Sequence, residues 1–232
     1  MSPCFNAVCD NVEKLLAGLE TDGQLNWDVR YDFLAFHDSQ VDGGTVHFYR
    51  SVNCNTEKLI DSIYKDHDAS PFFTSDLGRL KDALQETPVE GEEMQLLALD
   101  VAMDFPWRKS SDCHRVVILL TDEPVETGIQ IESQTEKLDA LKRKLQDKRI
   151  KLFIIAPESG GFYSLAEADR CEYTDLAESC DGLSSVDFSK VLATIGRSVS
   201  VSQSYDGGRT EPDPSFDQLD WTSVSGIEWT RD

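Results

Sequence analysis

Val116-Val117-Ile118-Leu119-Leu120-Thr121-Asp122-Glu123-Pro124 is the stretch on which the reading of this 232-residue chain turns. Five apolar residues without alternation describe a strand covered on both faces. Such strands are central in parallel sheets, where crossover helices cover the two sides. The run breaks off at Thr121-Asp122, which sets a hydroxyl and a carboxylate just past the strand's carboxyl end. In open α/β sheets that end is where ligands bind.

Outward from this strand, helical and extended patterns alternate. Downstream, a charged helix over Glu132 to Lys148 carries Leu138, Leu141 and Leu145 as its inner stripe. Leu152 to Ala156 is a second buried strand, followed by a short helix over Phe162 to Arg170 and an edge strand over Cys171 to Thr174. Phe188 to Val199 reads as the last helix. Upstream, Glu92 to Asp104 is apolar nearly all round, so that helix should be buried. Ser75 or Asp76 caps another through about Gln85, with Leu77, Leu80 and Leu84 inward. Thr56 to Tyr64 is a short helix, and Thr45 to Val52 is a strand entered from the turn Asp42-Gly43-Gly44. The segment from Trp27 to Asp38 alternates and then becomes apolar on both faces at Phe33 to Phe36. Val8, Val12, Leu15, Leu16 and Leu19 mark a first helix over residues 5–20. This order predicts an α/β fold with a doubly wound, mostly parallel, Rossmann-like sheet.

The pattern occupies residues 1–200; residues 201–232 lack helical period and are rich in Asp, Gly, Ser and Pro, as a flexible tail is. The tail holds an echo, Leu219-Asp220-Trp221-Thr222 and Ile227-Glu228-Trp229-Thr230. It reads equally as a docking peptide that folds on binding or as a hairpin around Ser225-Gly226. A net charge of −21 argues against nucleic acid or an anionic membrane surface as partner. No apolar run approaches the roughly 18–20 residues that span a bilayer, and no signal peptide is visible. The six cysteines are dispersed, without a Cys-x-x-Cys pair, so reduced thiols and a cytoplasmic setting are expected.

Several stretches together resemble the von Willebrand factor A (vWA) domain family, in its α-kinase-linked and bacterial stress-cluster form. Val116 to Pro124 is similar to its strand ending in Thr-Asp-Ala-Pro, and Val29 to Asp38 to its second strand. Phe72-Phe73-Thr74 sits where such domains lead into a Gly-Gly-Gly-Asp loop, which here reads Pro88-Val89-Glu90-Gly91-Glu92-Glu93. Asp104-Phe105-Pro106-Trp107-Arg108 is close to the subgroup's Trp-bearing helix ending. Met1-Ser2-Pro3 and the helix after it look like the segment that follows the family's Asp-x-Thr-Gly-Ser motif. The resemblance therefore implies that the first, central strand and its metal ligands are missing from residues 1–232 and lie upstream of Met1.

The resemblance also implies a divalent ion, Mg²⁺, where the loops converge at the strand ends. Such an ion takes oxygen ligands in near-octahedral geometry. Asp122 matches one family ligand; the second falls on Glu93 or on Glu90, according to the register of the loop. With the first-strand donors missing, this set would hold Mg²⁺ weakly. Asp122 as a mere loop cap and Glu90 to Glu93 as a solvated helix start is the competing reading.

Two functions from different classes follow. One is a protein-interaction module of vWA type, whose family analogues partner ATPases or kinases. The other is a metal-assisted hydrolase or phosphatase built on the acidic cluster. The chain has no Gly-x-Ser-x-Gly elbow and no phosphate-cradling glycine loop, and His37, His47, His67 and His114 read as packing or surface residues. A non-enzymatic role is the expectation.

Overall fold

The computed structural model describes residues 28–39, 45–51, 54–55, 72–85, 95–125 and 135–175. The helices expected at 5–20, 56–64 and 188–199, the loop holding Glu90 and Glu93, and the tail lie outside these residues.

The described residues form a mixed α/β structure with two three-stranded sheets. One sheet is antiparallel, made of β1 (Ala35–Ser39), β2 (Thr45–Ser51) and β3 (Cys54–Asn55). Just before β1, Tyr31 pairs with Thr74 through two 2.8 Å backbone hydrogen bonds. Then come α1 (Leu77–Gln85) and α2 (Gln95–Met103). The second sheet is parallel, in the order β4 (Arg115–Leu120), β5 (Ile150–Ala156) and β6 (Cys171–Asp175). Helix α3 (Leu138–Asp147) crosses from β4 to β5, and α4 (Gly160–Ala166) from β5 to β6.

Local chemistry sets the element boundaries. Asp76 Oδ1 accepts from the Gly78 and Arg79 amides, so of the two residues read as caps for α1 it is Asp76 whose carboxylate bonds the first turn. Ser159 Oγ accepts from the Phe162 amide and starts α4 three residues after β5 ends at Ala156. At the far end of α3, Arg149 closes the helix with φ of 51°, a left-handed turn in which its N–H donates to the Gln146 carbonyl.

The core lies between the parallel sheet and its helices. Leu96, Leu99 and Met103 of α2, Leu141 and Leu145 of α3, Leu152 and Ile154 of β5, and Phe162 and Leu165 of α4 form one cluster. All but one residue of β5 are buried, whereas β4 is mostly half-buried. Sequence reads both Val116 to Leu120 and Leu152 to Ala156 as buried strands; among the described residues only β5 is buried along nearly its whole length. The cause is topological: β5 has a strand on each side, and β4 has a described partner on one side only.

Two pairs of opposite charges sit inside the packing. Lys144 Nζ donates to the Asp100 carbonyl at 3.1 Å, to the Asp100 carboxylate, and to Asp104 Oδ2 at 2.6 Å. Lys148 Nζ donates to the other Asp104 oxygen. Burial pulls the Lys148 ammonium below its ordinary pKa, against the opposing pull of Asp104. These bonds tie α2 to α3.

Cys171 opens β6 against the same core, and burial with the adjacent Glu172 charge raises its thiol to about 12. At pH 8 its thiolate fraction should be roughly 1000-fold below that of an unperturbed thiol. Alkylation by iodoacetamide, followed by mass spectrometry at this residue, is expected to be slower by a similar factor. Labelling at the rate of a free thiol would contradict the burial. A raised acid pKa stabilises the fold below the unfolded value near 9.0, and that contribution is lost as pH climbs toward about 12.

Candidate functional site at the carboxyl ends of the parallel strands

Parallel strands point their carboxyl ends the same way, so the residues after β4 and β5 and the last of β6 share one edge of the sheet. That edge carries Asp122, Glu123, Glu158 and Asp175. The opposite edge carries Arg115, Arg149 and Arg170. At the amino ends these arginines have Asp112, Asp147 and Asp169 close by in sequence, whereas the residues just past the carboxyl ends of β4 and β5 include acids and no base.

The loop after β4 is built on Thr121, which is fully buried. Its N–H donates to the Ile155 carbonyl at 3.2 Å and extends the β4–β5 ladder by one residue. Its hydroxyl oxygen accepts from the Glu123 amide at 3.1 Å, which turns the chain sharply and leaves Asp122 at the exposed apex. Val125, fully buried, anchors the far side of the turn, and its amide donates to Ser159 Oγ at 3.4 Å. Gly161 backs this contact: a Cβ there would stand 3.1 Å from the Val125 side chain. Any larger residue there would press on Val125 and require it to shift by a few tenths of an ångström.

The first residue of α2 reaches the same loop. Gln95 is fully buried, and its Nε2 donates to the Glu123 carbonyl at 3.4 Å. Its other atom, Oε1, is buried with no hydrogen-bond partner. An orphaned carboxamide oxygen is costly in a dry interior, roughly 1–3 kcal/mol, unless something accepts its lone pairs. It is a hard, neutral oxygen donor of the kind divalent cations take.

Of the residues singled out from sequence, Asp122 lies at this end of the sheet, and Glu90 and Glu93 fall outside the described residues. Among the described residues no three His, Cys, Asp or Glu side chains converge as a metal cluster. Gln95 was not legible in advance, since nothing marks a glutamine whose neighbour is 28 residues away. Ser159 did carry a signal: a serine between an apolar strand and a helix is an N-cap.

A second feature lies against β4. Asp32–Leu34, which lead into β1, line a partly open cleft of about 120 Å³ together with β4 and with Ala98, Leu99 and Ala102 of α2. Leu34, Phe73, Phe105 and Trp107 line it together with Val116 and Ile118. Asp32 shapes this wall: its carboxylate accepts from the Phe33 amide at 2.9 Å and the Phe73 amide at 3.0 Å. The second bond holds Phe73 in a left-handed conformation, φ 57°, with its ring 4.9 Å from that of Trp107.

Comparison of the chain with protein-family models, with curated proteins and with solved structures gives no match. Among the described residues no helix is long and apolar enough to cross a membrane.

Proposed function

We propose that the chain is a protein-interaction module of vWA type whose divalent-cation site is incomplete. The reading takes the mixed α/β structure as part of a doubly wound, Rossmann-like sheet, with Asp122 as the main carboxylate toward Mg²⁺. Glu93 or Glu90 would be the second acid, and a protein partner would complete the shell. An ATPase or kinase is the partner class that the family resemblance suggests.

The observation that carries this reading is the buried, unpartnered Gln95 Oε1 beside the Thr121-Asp122 turn. A solvated loop cap explains Asp122 but not a buried, unpartnered carboxamide oxygen whose own amide nitrogen bonds the Glu123 carbonyl. With few charged donors the site would hold a cation weakly, and Mg²⁺ would keep several waters.

Titration calorimetry with MgCl₂ and MnCl₂ at millimolar concentration tests it. The wild-type chain is expected to release or absorb heat with one weak site, and Asp122→Ala is expected to weaken binding by roughly tenfold or more. Absence of heat in the wild-type chain would sink the cation site and leave a degenerate module of the same type. Turnover of a generic phosphate ester that Asp122→Ala abolishes would replace it with the hydrolase reading.

A further inference from the structure

We infer that His37 and His47, which the register of β1 on β2 sets directly opposite one another, are the two protein ligands of a site for a divalent transition-metal ion of the Zn²⁺ or Ni²⁺ kind. The chain has four histidines in 232 residues, and two of them form one cross-strand pair. Ten residues separate them in sequence, which is not the spacing of a helical or loop metal motif; the ladder alone brings them together. Opposite residues of an antiparallel pair share a face, with Cα atoms about 4.5–5.5 Å apart. An ion held about 2.0–2.1 Å from each imidazole nitrogen can be shared by two such residues.

The neighbours on the ladder suit a cation. By the period of two, Ser39 and Thr45, also directly opposite, share the face of the histidine pair, while Phe36, Asp38, Val46 and Phe48 fall on the other. These four positions bring two imidazoles and two neutral hydroxyls to one face, with no Lys or Arg among them to repel an ion. Arg50 pairs with Ala35, beyond a register shift. Imidazole favours Zn²⁺, Cu²⁺ and Ni²⁺ over Mg²⁺, which seeks oxygen, and a net charge of −21 concentrates cations near the chain. Two protein donors leave the other positions on the ion to water. A slip of one residue in the β1–β2 pairing would put His37 and His47 on different faces, so a bound ion fixes this register. The site uses none of Asp122, Glu90 and Glu93, so it stands whether or not the Mg²⁺ reading above holds.

The test uses the full 232-residue chain and Ni²⁺ alone as the probe, followed through the histidine ring signals in NMR. Ni²⁺ is paramagnetic and broadens the signals of the groups that bind it. Substoichiometric NiCl₂ is expected to broaden the His37 and His47 rings together, ahead of those of His67 and His114. MgCl₂ at the same concentration is expected to leave all four sharp. Losing a group one layer out from a metal already costs roughly 10–100-fold in affinity, so His37→Gln and His47→Gln should each weaken Ni²⁺ binding by roughly tenfold or more. ZnCl₂ is expected to slow amide exchange along both β1 and β2 in the wild-type chain and in neither variant. The wild-type ring signals decide the question even where a variant fails to fold. Broadening of all four rings in step, Ni²⁺ gathered at cysteine or carboxylate signals instead, or unchanged affinity in either Gln variant would overturn the assignment.

Discussion

Lys144→Ala is expected to destabilise the fold by about 3–5 kcal/mol, the cost of removing one partner from a buried ion pair. All three ammonium protons of Lys144 are committed: to the Asp100 carbonyl, the Asp100 carboxylate and Asp104 Oδ2. The Asp100 and Asp104 side chains are only 2% and 9% exposed, so water cannot replace the lost donor. What remains is two carboxylates in a poorly solvated layer with Lys148, bound to Asp104 and at 30% exposure, as a weaker substitute. The loss should show as a lower guanidinium midpoint with an unchanged slope. Because the pair is buried, the effect should survive in 0.5 M salt, where exposed pairs lose most of their attraction. A change below about 1 kcal/mol would place this network among ordinary surface pairs.

Phe162→Ala should cost about as much, roughly 3–5 kcal/mol, by a different route. Its ring is fully buried within the main core and lies 6.1 Å from the ring of Tyr173. The cost of a cavity depends on how far the surroundings can collapse into it. Here collapse is restricted. Gly161 already sits tightly against Val125, and Ser159 Oγ ties the start of α4 to both the Phe162 and Val125 amides. Phe162→Leu, which keeps most of the volume, should cost under about 1.5 kcal/mol. Equilibrium denaturation of the two variants checks the pair. Equal losses would mean that the ring's volume is not what the site needs. A structural consequence is also expected: Phe162→Ala loosens the packing behind the Asp122 turn, so amide exchange at Val125 should accelerate.

Parts of this architecture were legible from residues alone, for reasons that differ by element. Val116 to Leu120 and Leu152 to Ala156 were recognisable because an unalternating apolar run has few fates other than a parallel strand, and the two do pair in parallel. The helix beginning after Asp76 was legible because a carboxylate that bonds its own first turn is a local device. Asp122 was placed past a strand end because its position follows from where the apolar run stops. The ranking of β4 above β5 was not recoverable: both strands read alike, and burial depends on how many neighbours the sheet provides. The ion network was also invisible, since Asp100 and Lys144 become neighbours only when α2 packs on α3.

The sequence by itself determined the class of elements and the acidity of the loop after β4, because periodicity, capping and strand termination act within a few residues of chain. Tertiary structure alone decided three things: that β5 is the strand paired on both sides among the described residues, that Gln95 brings a buried, unpartnered oxygen to the Asp122 turn, and that Asp32–Leu34, α2 and β4 line one apolar cleft. Each of these depends on which distant segments meet, and spacing along the chain does not encode such contacts locally.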